Sequence, residues 1–158
     1  MRAFQRAFTL VEMMVVVAII GVLAIAVTPV LQIQTQRAKE QDLRLALREL
    51  RSAIDAYRQA VTDGRIRISA GESGFPPSLE ALVVGVEDAK SPKGAPIRFL
   101  RRIPVDPMAA LPVKTPSDSW LKRSYASPHD QPSEGPDVFD VLSRSKGIGL
   151  NGIEYRQW

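Results

Sequence analysis

From Met13 to Gln36 the chain carries no charged residue, whereas from Arg37 to Asp63 charges are dense. No single water-soluble layer accommodates both halves of that pattern. The uncharged, mostly apolar stretch from Met13 to Val30 has 18 residues. As a helix it covers roughly 27 Å at ~1.5 Å per residue, close to the hydrocarbon thickness of a bilayer. The stretch is rich in Val and Ile, but in lipid only a helix satisfies its own backbone, so it reads as a transmembrane helix. Arg2 and Arg6 precede it and place the N-terminus on the cytoplasmic side. Pro29 removes one backbone donor and clashes with the preceding turn, so the far end of the span is expected to kink or loosen.

Glu12 is the exception in this segment. A carboxylate in an apolar helix costs about 2–3.5 kcal/mol at the membrane centre and less near an end. It therefore calls for a partner or for solvation at the headgroups. The residues leave three readings open. One is an uncleaved signal anchor. Another is a secretory signal peptide cut after Ala24-Ile25-Ala26, although Glu12 would interrupt its apolar region. The third is a prepilin-type signal.

After Gln36 the helical pattern continues with a different polarity. Leu43, Leu47, Leu50, Ile54, Tyr57 and Val61 recur at alternating steps of four and three, one apolar stripe on a helix. Ala46, Ala53 and Ala60 widen it. Arg44, Arg48, Arg51, Asp55 and Arg58 occupy other faces, either solvated or in contact with neighbouring subunits, and Glu40–Arg44 has the spacing of an intrahelical ion pair. The stripe covers under three heptads, which favours packing on the chain's own domain over a coiled coil. Asp63-Gly64 ends the helix, with Gly64 as a left-handed cap.

Eleven of the twelve prolines lie from Pro76 onward, so that half is built of turns and short elements. Phe75 to Val83 reads as a turn, a Ser78 N-cap and a short helix. Ile97–Ile103, Trp120–Ala126 and Asp137–Ser143 are the strand candidates. Glu87–Pro96, Ala109–Asp118 and Pro128–Pro136 read as loops. The closing GIGLNGIEYRQW, with three glycines and two aromatics, is expected to tuck onto the domain. A long helix followed by a few antiparallel strands is an α+β plan in which the sheet needs the helix stripe to make a core.

Composition excludes much chemistry. The chain has no cysteine and one histidine, His129, so disulfides, thiolate metal sites, thiol nucleophiles and multi-histidine centres are ruled out. A net charge of +4 on 158 residues gives no case for nucleic-acid binding. His129 sits in a Pro-rich loop with no paired base, no phosphate loop occurs, and GIGLNG opens no helix. The chain does not read as an enzyme.

The string AFTLVEMMVVVAIIGVLAIAV, from Ala7, resembles the class III signal of type IV pilins and type II secretion pseudopilins: a short basic leader, a cut before Phe, an acid four residues on, then an apolar helix. Downstream, FPPSLEALV, FLRRIPVDPM, the RSYAS after Trp120, DVFDVLSRSKG and the aromatic tail are similar, in that order, to the major (G-type) pseudopilins of type II secretion. The resemblance implies a pilin-like α+β fold, a long N-terminal helix, transmembrane in its first half, packed on a small antiparallel sheet. It implies a leader 1–7, a transmembrane helix 8–31, its amphipathic continuation 32–63, and a periplasmic globular domain 64–158. It implies cleavage between Ala7 and Phe8 by a prepilin peptidase and methylation of the new Phe8 amine. The family usually has Gly where Ala7 stands. Glu12 would be retained for assembly, set beside the Phe8 ammonium of a neighbour as a register device.

The implied function is that of a structural subunit of the type II secretion pseudopilus, polymerising from the inner membrane to push folded proteins through the outer membrane. Its implied partners are further copies of itself, minor pseudopilins, the prepilin peptidase and inner-membrane platform proteins. A type IV pilin-like subunit for adhesion, motility or DNA uptake is the related alternative. A membrane-anchored periplasmic binding module that never polymerises is the alternative of another class. The resemblance also implies calcium in the C-terminal loop. Asp137 and Asp140 are available as ligands, but Lys146 stands where a second acid is usual, and the reading of these acids as turn caps is preferred.

Overall fold

A computed structural model describes residues 9–92, 94–110 and 112–158, and of residues 24–30 the backbone alone. Helix α1, Leu10–Thr62, takes up 53 residues, and its backbone stays helical through Pro29. Contacts divide the chain into a part ending at Ala38 and a compact unit, Lys39–Trp158.

Within Lys39–Trp158 the stripe of α1 forms the spine of the core. Leu43, Leu47, Leu50, Ile54 and Tyr57 are buried, as are Ala46, Ala53 and Ala60. They pack with Leu79, Leu82, Leu100, Trp120, Val138, Val141 and Tyr155 in one apolar cluster. A 3.6-residue period brings all these α1 positions to one side, and the alanines let the covering segments approach closely. The helix stops as its sequence dictates. Gly64 adopts φ 68°, its N–H donates to the Val61 carbonyl, and the Arg65 N–H donates to the Ala60 carbonyl. This is a Schellman closure, which glycine favours because it has no Cβ.

Helix α2, Leu79–Val84, starts at Ser78, whose hydroxyl accepts from the Ala81 N–H. Strands β1 (Val86–Glu87) and β2 (Pro96–Ile97) form a short antiparallel pair. Strands β3 (Trp120–Arg123) and β4 (Asp140–Ser143) form the other, with Trp120 opposite Ser143 and Arg123 opposite Asp140. The result is the α+β, pilin-like plan, with its antiparallel strands split into two small pairs.

Several sequence expectations are corrected. The strand expected over Ile97–Ile103 keeps only its first residue. Beyond it, the Phe99 and Leu100 N–H groups both donate to the Leu82 carbonyl, near the open C-terminal end of α2. Helix ends leave such carbonyls unsatisfied, and that demand outweighs extension of the strand. The loop expected over Glu87–Pro96 begins and ends in paired residues. β3 stops at Arg123, short of Ala126, because Ser124 turns away, its N–H to the Ser133 carbonyl and its hydroxyl to Asp137. β4 starts at Asp140 and not at Asp137. The loop expected over Ala109–Asp118 contains the start of a 3₁₀ turn, Pro116–Ser119, closed by a reciprocal capping box between Thr115 and Asp118. The tail does tuck in: Ile148 bridges Glu154, and Tyr155 is buried.

Candidate functional site

The processing residues Ala7 and Phe8 lie outside the described residues. Glu12 is described and sits in the first turn of α1. Its backbone N–H donates to the Thr9 hydroxyl at 3.2 Å, and the Met13 N–H donates to the Thr9 carbonyl. Thr9 is therefore the N-cap of the long helix. Its role was legible in the sequence, because Thr9-Leu10-Val11-Glu12 has the S/T-x-x-E spacing of a helix start. At the positive end of the helix a carboxylate is favoured by about 0.3–1 kcal/mol, which offsets part of its cost there. Among the described residues the Glu12 side chain makes no hydrogen bond or ion pair, and it is exposed.

Every large apolar side chain from Leu10 to Leu23 is exposed as well, Leu10 by 75% and Val22 by 69%. Among the described residues, no helix is long and apolar enough to cross a membrane. The side chains of 24–30, at the far end of the apolar run, are outside that description.

Further along α1, three arginines seven residues apart, Arg44, Arg51 and Arg58, flank the apolar stripe. All three make contacts within the chain's own domain. Arg44 lies over the Trp158 ring, 4.4 Å from its centroid. Arg58 donates to the Ser73 carbonyl at 2.8 Å and covers Phe75. Arg51 donates to Asp140 Oδ1 at 2.8 Å, to the Trp158 carbonyl at 2.8 Å and to the Val141 carbonyl at 3.3 Å. Glu40, expected to pair along the helix with Arg44, is buried, and its Oε1 accepts from the Tyr155 hydroxyl at 2.9 Å and the Leu150 N–H at 2.8 Å. The seven-residue spacing beside the stripe was the available sequence signal for this set of anchors.

The two acids proposed for calcium are already engaged. Asp137 is buried and accepts from the Ser73 and Ser124 hydroxyls and from the Tyr125 N–H at 3.0 Å. Burial opposes its ionisation, but these hydrogen bonds outweigh burial and hold its pKa below the ordinary aspartate value. Asp140 is paired with Arg51, and its Oδ1 also accepts from the Val141 N–H. A third acid, Asp106, is buried and accepts from Ser143 Oγ at 2.6 Å, the Met108 N–H at 2.8 Å and the Arg144 N–H at 3.3 Å. Among the described residues no group of three or more His, Cys, Asp or Glu is placed to hold a metal. Calcium takes 6–8 oxygen ligands, and both acids are already bonded within the chain. His129 is exposed in its loop.

Residues 2–28 match the family model of the prokaryotic N-terminal methylation motif. Over 104 residues the chain is 38% identical to the type II secretion system core protein G of Pectobacterium carotovorum, covering 65% of this chain and 62% of that protein. It is 34% identical to the protein of the same name from Klebsiella pneumoniae over 65% of this chain and 69% of that one. A shorter match, 39% over 57 residues, relates it to a type IV major pilin protein of Neisseria gonorrhoeae, over 36% of this chain and 34% of the pilin. No solved structure matches.

Proposed function

Because the chain belongs to the type II secretion system core protein G family, we propose that it is a structural, non-enzymatic subunit of a secretion pseudopilus. In this reading the leader 1–7 is removed between Ala7 and Phe8, and the Phe8 amine is methylated. The helix 8–31 holds the subunit in the inner membrane, 32–63 continues it, and 64–158 is the periplasmic domain. Subunits then leave the membrane for a helical filament, a heterologous contact that does not close. Growth of that filament pushes folded proteins toward the outer membrane. Further copies of this chain, minor pseudopilins, the prepilin peptidase and an inner-membrane platform are the partners. The work is supplied by a cytoplasmic ATPase.

The observation that carries the reading is that the apolar side chains from Leu10 to Leu23 are exposed on the segment that matches the methylation motif. Apolar area left in water costs about 25 cal/mol per Å², so this surface needs lipid or neighbouring helices to cover it. Glu12 at its start supplies a charge for the Phe8 ammonium of the next subunit.

The test is the N-terminus and intact mass of the protein from its native membrane. A chain starting at methylated Phe8 is expected. A chain starting at Val27 would mean ordinary secretion of a soluble domain, and an intact Met1 would mean an anchored module or a leader that Ala7 keeps the peptidase from cutting. Either one overturns the reading. The Neisseria pilin match supports a second reading, a type IV pilin-like subunit. Deletion discriminates: loss of protein secretion favours the pseudopilus, and loss of adhesion, motility or DNA uptake with secretion intact favours the pilus.

A further inference from the structure

We propose that in this chain the Arg51 guanidinium, in place of a divalent cation, fastens the C-terminal segment to the long helix. Arg51 gathers three oxygens contributed by two separate stretches of chain. Asp140 Oδ1 and the Val141 carbonyl come from β4, and the Trp158 main-chain oxygen comes from the residue that follows the closing 3₁₀ turn, Tyr155–Gln157. Bringing oxygens of distant segments onto one positive centre is what a bound calcium ion does in a loop. A guanidinium does it with a planar fork of five donors and a charge that persists at every accessible pH.

The position of that fork is fixed by packing. Arg51 lies between two buried residues of the stripe, Leu50 and Ile54, so its backbone cannot shift without opening the core. The same closing segment is gripped at two further points on the helix. Arg44 lies over Trp158, which meets Tyr155 edge-on at 5.1 Å. One turn earlier, Glu40 accepts from Tyr155 and Leu150.

The residues that would compete with this arrangement by binding a metal are committed elsewhere. Asp140 is consumed by Arg51 itself, and Asp137 by Ser73, Ser124 and Tyr125. Lys146, exposed in the loop after β4, adds a cation where an ion site would require an acid. The consequence is a subunit whose C-terminal closure is independent of free calcium. The comparison with calcium rests on the core protein G reading, whereas the clasp rests on the distances alone.

The test uses the full chain in detergent micelles. Thermal unfolding and limited proteolysis are followed in excess calcium chloride and in excess EDTA. The expected result is coincident midpoints and equal protection of residues 148–158. Bound calcium at a hundred times its dissociation constant would instead raise the midpoint by roughly 10 °C, and that outcome overturns the proposal. Arg51→Met is expected to lower the midpoint and speed cleavage within 148–158, with no recovery on adding calcium. Arg51→Lys, which keeps the charge without the fork, should fall between. An Arg51→Met protein that behaves as wild type, or that calcium restores, also overturns it. If Arg51→Met does not accumulate, Arg51→Gln keeps a polar head without the charge, leaves Asp140 in place and carries the same expectations. None of these readouts involves filaments or secretion, so failure here leaves the proposed function standing, and failure of that function leaves the clasp standing.

Discussion

Glu12→Ala separates a role in assembly from a role in the helix itself. The hydrogen bond that starts α1 runs from the Glu12 backbone N–H to the Thr9 hydroxyl, so it survives loss of the side chain. What the helix forfeits is the interaction of the carboxylate with the helix dipole, about 0.3–1 kcal/mol, against which alanine gains a few tenths in propensity. Membrane insertion becomes easier, because an acid is removed from an apolar segment. Helix content in micelles should therefore stay within error of wild type by circular dichroism. Assembly should respond on another scale. A buried ammonium whose carboxylate is deleted costs about 3–5 kcal/mol, a factor of roughly 10² to 10⁴ in each subunit contact. Sheared-filament yield and secretion of folded protein should fall to background. Thr9→Ala should show the reverse balance, losing about 0.5–2 kcal/mol at the helix start while filaments remain. Filaments of Glu12→Ala at wild-type yield would refute the reasoning, because a register device that can be deleted without effect is not one.

Asp106→Ala should be among the most destabilising polar changes in the compact unit. It strips the acceptor from Ser143, Met108 and Arg144 at once, and at about 1–3 kcal/mol for each group left unsatisfied a loss of at least ~3 kcal/mol is expected by urea titration. Leu50→Ala, at a fully buried core position, should cost about 2–5 kcal/mol by the same assay, with Leu45→Ala, on the exposed face, as the near-neutral control. Gly85→Ala should also destabilise, because φ is 93° and a Cβ there would lie 2.8 Å from the Ile97 carbonyl oxygen; a midpoint equal to wild type would show that the turn relaxes freely. The depressed pKa of Asp137 sets the sign of an acid limb. Its contribution is fully present above the unfolded-state value of about 3.9 and is lost as pH falls from there through the lower folded value. Asp137→Asn should flatten that limb in unfolding titrations between neutral pH and acid.

The physics behind each feature decides how much of this protein its sequence discloses. Local, periodic features were legible. The uncharged run, the apolar stripe from Leu43 to Tyr57, the Gly64 stop and the Ser78 cap depend on residues within a few positions of one another, so spacing is enough to find them. β3 and β4 were legible in position for a similar reason, since short runs between proline-rich loops leave few other choices. Their ends were not, because Ser124 leaves the ladder for Asp137 and for the Ser133 carbonyl, a competition visible only once both are in place. The strand expected after Ile97 gave way to the open end of α2 for a similar reason. The site divides along the same line. Thr9 and Glu12 form a signal within four residues and could be read directly. The fate of the charges could not. Asp140 and Arg51 are 89 positions apart, and Glu40 and Tyr155 are 115 apart. Sequence alone determined that the chain has an apolar N-terminal helix with an acid at its start and an amphipathic continuation bearing arginines. Tertiary structure alone decided which oxygens those arginines would hold. The strength of an ion pair depends on distance and burial, and folding sets both.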